Sequence, residues 1–137
     1  MIAVMGAAGN VGSKVTERLL REGRDARVLE HRRKLDGLGE RGAEVLTGDA
    51  ADPDDLRRLF EGAEAALVLL PEDLTDPEFV ANRSRMSEAI AEALAGSGVG
   101  HVVALSTVGA GWPASGTATC CCYGRRSTWR TCWPPSR

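Results

Sequence analysis

The sequence predicts an α/β fold with a doubly wound parallel sheet, carried by residues 1–111 of a 137-residue chain. Short apolar runs alternate with amphipathic stretches, which is typical of repeated β-α units. A glycine-rich turn, residues 6–12, follows directly on the first apolar run and opens into a helical pattern. Right-handed crossovers between such units predict the strand order 3-2-1-4-5, with a ligand crevice at the carboxyl ends of strands 1 and 4.

The first half of the chain contains three predicted strands. Residues 1–5 form the first, and a helix follows over 11–22, where Val11, Val15, Leu19 and Leu20 recur at helical spacing before Gly23. The second strand is 26–30, with a short helical segment near 32–39. The third strand is 43–46 and leads into a loop at 47–49.

In the second half, Asp52 and Pro53 predict a helix start, since aspartate caps helices and proline suits their first turn. The continuous apolar run 65–70 predicts a central strand buried on both faces. A helix over 77–95 follows, with Val80, Met86, Ile90 and Leu94 along one side and glycines at its end. Residues 101–106 are the fifth strand.

Composition and charge argue against several classes of function. A net charge of −2 gives no basic face for nucleic acid. Apolar runs are shorter than the roughly 18 residues that cross a membrane, and the first residues already form a strand rather than a signal peptide. We therefore expect a cytoplasmic protein. All four cysteines lie within 120–132 without zinc-ligand spacing, so we expect no metal site.

Residues 112–137 differ in composition from the rest of the chain. They contain no Leu, Ile, Val, Met, Phe, Asp, Glu or Lys, so we expect an irregular tail. Cysteine codons are TGY and tyrosine codons TAY. Read one base back, Cys121, Cys122 and Tyr123 all become leucine, while Trp133 becomes leucine and Pro134 alanine. Out-of-frame translation is one interpretation of this tail, and a disordered arginine-bearing extension is the other.

The glycine turn is the strongest candidate site. Gly6, Gly9 and Gly12 allow a tight turn and close backbone approach, and the following helix N-terminus favours negative charge, so the pattern indicates a dinucleotide pyrophosphate. The alternative is a tight β-α turn without a ligand.

Glu30 ends the second strand, where an acid can accept hydrogen bonds from the adenosine ribose and favour NAD. Arg32 or Arg33 follows at once and could instead bind the 2′-phosphate of NADP. A solvated basic helix start would explain these cations equally well. The choice between NAD and NADP stays open.

Three further residues lie at predicted strand ends. Asp49 could accept from the adenine amino group, or simply cap a turn. Leu70 could line the cofactor's path, or only pack in the core. Ser106 could face the nicotinamide or a substrate carbonyl, but no nucleophile elbow or histidine partner surrounds it.

These residues together resemble the short-chain dehydrogenase/reductase superfamily, and more specifically its atypical NmrA-like branch. The resemblance covers about 1–111 and rests on residues 6–12, Gly42–Val45 leading to Asp49 and Asp52, 69–71, and 98–110. It implies a Rossmann-like fold and an NAD(P)H-dependent quinone or dye reductase, or a non-catalytic redox sensor that signals through a protein partner.

Carried over by position, the resemblance implies that Gly6, Asn10 and Val11 contact the cofactor's phosphates. Residues 30–32 would contact its ribose, Asp49 its adenine, and Leu70 and Ser106 would lie toward the nicotinamide. A quinone-like molecule is the implied substrate.

The chain also departs from the family. Classical members use a tyrosine with a lysine four residues later, whereas here the only tyrosine is Tyr123, followed by Ser127, and the only lysines are Lys14 and Lys34. Family members also continue into a substrate-binding part, so a truncated, functionless product is a third interpretation. An uncovered fifth strand would make a homodimer possible.

Overall fold

The parallel sheet of this protein is built from five strands in the order that the sequence predicts. The computed structural model describes residues 1–30, 37–70 and 77–105, and the backbone of 121–124 and 129–131. The strands are β1 (Ile2–Val4), β2 (Ala26–Glu30), β3 (Glu44–Thr47), β4 (Ala65–Leu69), β5 (His101–Leu105), β6 (Cys121–Gly124) and β7 (Trp129–Thr131). The helices are α1 (Asn10–Arg21), α2 (Pro53–Phe60) and α3 (Phe79–Ser97).

The strand order is β3-β2-β1-β4-β5-β6-β7. The first five strands pair in parallel, which confirms the predicted 3-2-1-4-5 order and the Rossmann-like class. β6 is antiparallel to β5, and β7 is antiparallel to β6. Because parallel strands share one carboxyl edge, the loops after β1 to β4 meet at that edge.

Within 112–137, which the sequence predicts to be irregular, the described backbone contains two short strands, β6 and β7. Main-chain groups alone form a ladder, so aliphatic side chains are not needed for pairing. The outer edge of β5 offers main-chain donors and acceptors to which β6 pairs, and cysteine, tyrosine and tryptophan are compatible with an extended backbone. β5 is therefore paired on both sides, with β4 and with β6.

Helix boundaries follow local chemistry. α1 ends before Gly23, whose φ is +71° and whose amide donates to the Leu20 carbonyl at 3.0 Å. α3 continues through Gly96, beyond the predicted end at 95, and ends at Gly98, whose φ is +74°. Of the segment predicted as a helix near 32–39, residues 37–39 are turn, and the rest lies outside the described residues.

The sheet has a distinct apolar cluster on each face. On one face, Met5 and Val68 pack with α2 and α3 residues, of which Phe60 and Leu56 are fully buried. The opposite face packs Val4 and Val28 against α1 and residues 38–43. β4 alternates between buried and half-buried side chains rather than being buried throughout, as its apolar run had suggested.

Val80 does not join the packed side of α3, as its spacing had predicted, but is 77% exposed. The buried α3 residues, Ile90 and Ala93, lie in the second half of the helix. Helical spacing identifies a side of a helix but not how far along the helix the sheet extends.

Arg27 connects β2 to the end of α2. Its Nη1 donates to the carbonyls of Arg58 at 2.9 Å and Glu61 at 2.7 Å, both at the carboxyl end of the helix. Its Nε lies 2.8 Å from Glu44 Oε2 without hydrogen-bond alignment. A guanidinium at this helix end satisfies carbonyls that have no intrahelical donor and opposes the negative pole of the dipole.

We expect Arg27→Met to lower the free energy of unfolding by about 1–2 kcal/mol, since two charge-assisted hydrogen bonds are lost while the apolar stem is retained. Urea unfolding measures the change. Arg21→Met, at an exposed position of α1, is the control and should change stability by less than about 0.5 kcal/mol. Equal effects of the two substitutions would contradict the role given to Arg27.

Glu64 joins the amino ends of three strands. Its amide donates to the Met1 carbonyl at 3.0 Å, and its carbonyl accepts from the Gly100 amide at 3.1 Å. Its carboxylate accepts from Arg24 and pairs with the chain's amino terminus. The Arg24 hydrogen bond, with the nearby positive charge of the amino terminus, lowers the pKa of the Glu64 carboxyl from its ordinary value of 4.5.

A lowered folded-state pKa means that the unfolded chain binds a proton more readily at this carboxyl. The Glu64 carboxylate therefore contributes its full stabilisation of the folded chain when the pH is above the ordinary pKa of 4.5. That contribution is lost as the pH falls through the lower pKa of the folded state. We expect Glu64→Gln to flatten this part of the acid unfolding profile, measured by circular dichroism. An acid unfolding profile that Glu64→Gln leaves unchanged would refute the assignment.

Candidate functional site

The carboxyl edge of the parallel sheet brings together most of the residues that the sequence selected. Gly6 follows β1, Glu30 ends β2, Asp49 follows β3, and Leu70 follows β4. This edge lies at the point between β1 and β4 where the strand order reverses, and open α/β sheets bind ligands at such points. The structure thus places these predicted residues at one edge.

The glycine turn is shaped by contacts that leave no room for side chains. Gly6 has φ +79°, and a Cβ there would lie 2.7 Å from the Cβ of Leu69 on β4. A Cβ on Gly12 would lie 2.2 Å from the Gly6 carbonyl oxygen. The Gly9 amide donates to that same oxygen at 3.0 Å and closes the turn. Gly6 and Gly12 are therefore required by the turn itself, and the turn holds the start of α1 beside β4.

The first turn of α1 presents free backbone donors. Gly9 occupies the N-cap position, provides no side-chain cap, and is followed by no acidic residue in the first turn. Intrahelical bonding to the cap begins with the Ser13 amide, which donates to the Gly9 carbonyl at 3.0 Å. Within the described part of the chain, the amides of Asn10, Val11 and Gly12 have no acceptor. Together with the helix dipole, these donors make a site for an anion such as a pyrophosphate.

The start of α2 shows the opposite arrangement. The Asp52 carboxylate accepts from the Asp54 amide at 2.8 Å and from the Asp55 amide at 3.4 Å, and Pro53 has no amide hydrogen. Acidic side chains already occupy its first turn. This helix start satisfies its own donors and repels anions, so of these two helix starts only that of α1 suits a phosphate group.

The loops after β2 and β3 are held together by backbone bonding. The Gly48 amide donates to the Glu30 carbonyl at 2.9 Å, so the Glu30 and Asp49 backbones are fixed relative to each other. The Glu30 side chain is half-buried, and that of Asp49 is exposed. Asp49 Oδ1 accepts from the Ala51 amide at 2.8 Å, which supports the turn role weighed against adenine binding.

Leu69 and Leu70 end β4 beside the glycine turn. Leu69 would meet any side chain added at Gly6, and Leu70 packs on the cluster beneath α2 and α3. Packing therefore accounts for part of the role of Leu70, as the alternative interpretation held. Both residues remain half-buried at the carboxyl edge.

Two predicted residues, Ser106 and Arg32, lie outside the described residues, as do Arg33 and Pro71. Their roles toward the nicotinamide and the ribose remain predictions. Within the described ranges, no group of three or more His, Cys, Asp or Glu side chains is placed to hold a metal ion. In the same ranges, no helix is both long enough and apolar enough to span a bilayer.

The structure adds two supporting residues that the sequence did not indicate. Thr16 is fully buried, and its hydroxyl donates to the Gly12 carbonyl at 2.8 Å within the first turns of α1. Asp55 Oδ2 accepts from the Asp49 amide at 2.8 Å and stands where a Gly48 side chain would lie. The sequence offered one signal for Thr16, because a hydroxyl four positions after Gly12 can reach the Gly12 carbonyl in a helix. Nothing local distinguished Asp55 from the other first-turn acids.

Comparison with known proteins assigns this geometry to a nucleotide-binding domain. A family model described as NAD(P)H-binding matches residues 6–120. A search of curated protein sequences finds no match.

Solved structures show the same fold. The structure of gox2253 has a TM-score of 0.68 at 26% identity and is matched over 79% of this chain and 34% of that one. A short-chain dehydrogenase/reductase superfamily protein from Agrobacterium tumefaciens with bound NAD has a TM-score of 0.65 at 28% identity, over 78% and 32%. Triphenylmethane reductase from Citrobacter sp., complexed with NADP(H), has a TM-score of 0.63 at 21% identity, over 78% and 37%. The chain spans about a third of the length of these proteins.

Proposed function

Because this chain belongs to the NAD(P)H-binding family, whose model matches residues 6–120, we propose that its glycine turn holds the pyrophosphate of NAD or NADP for hydride transfer to a quinone-like or dye-like acceptor. The observation that carries the proposal is the uncapped start of α1, where three free amides follow a turn that has no room for a side chain at Gly6 or Gly12. The reductase complexed with NADP(H) supports this reaction class as an analogy.

Each part of the edge has a role in this proposal. The Asn10 and Val11 amides bind the phosphates, the half-buried Glu30 accepts from the adenosine ribose, and Asp49 lies toward the adenine. Leu70 and Ser106 lie toward the nicotinamide, with Ser106 at most polarising a carbonyl. Bound cofactor supplies the hydride, while the protein positions it and excludes water.

A non-enzymatic redox sensor is the second candidate. What supports it is that the uncapped start of α1 needs no catalytic side chain to hold a dinucleotide, and the branch that the sequence resembles includes such sensors. Such a protein would bind NAD(P) and signal the cofactor's redox state through a protein partner.

Calorimetric titration with the oxidised and reduced forms of both cofactors tests the binding step, which both candidates share. We expect a Kd in the micromolar range for at least one form. A folded chain that binds none of the four would refute the reductase and the sensor together.

Turnover distinguishes the two candidates. Oxidation of NADH or NADPH with a panel of quinones and triphenylmethane dyes, followed at 340 nm, supports the reductase. Binding without turnover across the panel supports the sensor. Gly96→Ala, at an α3 position where a Cβ meets nothing within 4 Å, is the matched control and should behave as the unmodified chain does.

A further inference from the structure

The loop after β3 is fixed at both the backbone and the side chain of Asp49. The Asp49 amide donates to Asp55 Oδ2 at 2.8 Å, and the Asp49 carbonyl accepts from the Asp52 amide at 3.0 Å. Asp49 Oδ1 accepts from the Ala51 amide at 2.8 Å. Ala51 and Asp52 belong to the loop and the cap of α2, whereas Asp55 lies inside α2 and joins the loop to that helix.

The Asp55 carboxylate is itself held in place. Its Oδ1 accepts from Arg58 Nη1 at 2.9 Å, and its side chain is only 20% exposed. A Cβ on Gly48 would lie 2.5 Å from the Asp55 carboxylate carbon, so the glycine leaves the room that this carboxylate occupies. Asp54, in the same helical turn, carries the same charge and pairs with Arg57, but its side chain is 85% exposed. The two acids therefore differ in burial and in their contact with the loop.

This loop lies at the adenosine end of the proposed cofactor site. The Gly48 amide donates to the Glu30 carbonyl at 2.9 Å, which joins the loop to the end of β2. An ionised carboxylate accepts about four hydrogen bonds, so accepting from the Ala51 amide is compatible with accepting from an adenine amino group. A carboxylate that is positioned before the ligand arrives loses less freedom on binding. The turn role and the adenine role of Asp49 are therefore compatible.

We propose that Asp55 is a positioning residue for recognition of the adenine base. By holding the Asp49 amide, it sets the place of the Asp49 carboxylate, which accepts from the amino group of adenine. This inference rests on the proposed function, because it requires a bound dinucleotide. It adds a specificity that the glycine turn does not provide, since a pyrophosphate bound by backbone amides is the same whichever base is attached.

Calorimetric titration with the adenine dinucleotide and with its hypoxanthine analogue, in which a carbonyl replaces the amino group, measures this specificity. We expect the unmodified chain to bind the adenine form about tenfold more tightly or better, as one hydrogen bond to a charged group allows. Asp55→Ala should reduce this preference to less than about threefold, mainly by weakening the adenine form. Asp55→Asn keeps an acceptor oxygen for the Asp49 amide and should retain most of the preference.

Gly48→Ala tests the same contact without removing a charge. The φ of Gly48 is one that alanine adopts, and the new Cβ would displace the Asp55 carboxylate from the Asp49 amide. The adenine preference should fall as it does in Asp55→Ala, so this variant provides the test if Asp55→Ala does not fold. Asp54→Ala removes an equivalent charge from the same helical turn and is the matched control, which should keep the preference of the unmodified chain.

Two results in the folded variants would overturn the proposal. An unchanged preference would show that Asp55 does not act on the base, and equal weakening of both dinucleotides would show a structural role alone. Equal binding of the two dinucleotides by the unmodified chain would also overturn it, while leaving the pyrophosphate site intact. Binding of neither dinucleotide would refute the proposed function, and this inference with it.

Discussion

The Gly12→Ala variant is expected to lose measurable dinucleotide binding and about 3 kcal/mol of unfolding free energy. An alanine Cβ would lie 2.2 Å from the Gly6 oxygen, 2.7 Å from the Gly6 carbonyl carbon and 2.9 Å from the Ala7 Cα. All three atoms belong to the backbone, so the strain cannot be relieved by rotating a side chain. The turn must move away from α1, and the phosphate donors move with it.

Calorimetry and urea unfolding measure the two losses separately. Gly96→Ala is the matched control, because its new Cβ meets nothing and alanine favours a helix by up to about 1 kcal/mol. If Gly12→Ala does not fold, Gly9→Ala provides the test of binding. Gly9 has an extended backbone that alanine adopts, and its Cβ would approach the Gly6 oxygen only to 3.3 Å. Unchanged dinucleotide affinity in a folded variant of either glycine would refute the assignment of the pyrophosphate site to the glycine turn.

Asn10→Asp should move binding and stability in opposite directions. A carboxylate in the first turn of α1 interacts favourably with the helix dipole and should raise stability by about 0.3–1 kcal/mol. The same charge repels a bound pyrophosphate. At about 5 Å, two like charges repel by about 1–3 kcal/mol between the dielectric limits of water and a protein surface, so affinity should fall about tenfold or more.

Thermal unfolding without cofactor and titration with cofactor give the two readouts. Ser84→Asp places the same charge at an exposed site inside α3 and should change neither by a comparable amount. A rise in affinity together with stability would show that the anion does not bind at the start of α1. Raising the salt concentration should weaken both effects of Asn10→Asp.

Much of the fold could be predicted because it depends on local pattern. The order of apolar runs and helical spacings gave five strands and the main helices to within a few residues, and Asp52 marked the start of α2 through its own capping chemistry. Glycines at 6, 9 and 12 indicated the phosphate turn because their spacing is also a local pattern. The tail strands could not be predicted, because their pairing depends on the distant edge of β5 rather than on their own composition.

The three-dimensional geometry decided the rest. The sequence by itself determined the strand order and the chemistry of the glycine turn, since both follow from residue type and spacing along the chain. Only the tertiary structure showed that β4 is the reason Gly6 can carry no side chain, that Asp55 holds the loop after β3, and that Thr16 bonds back to Gly12 within α1. It also showed that the amides of α1 are left free while those of α2 are capped. Of these features, the contact between Gly6 and Leu69 joins residues far apart in the chain, and packing sets that distance while spacing does not encode it.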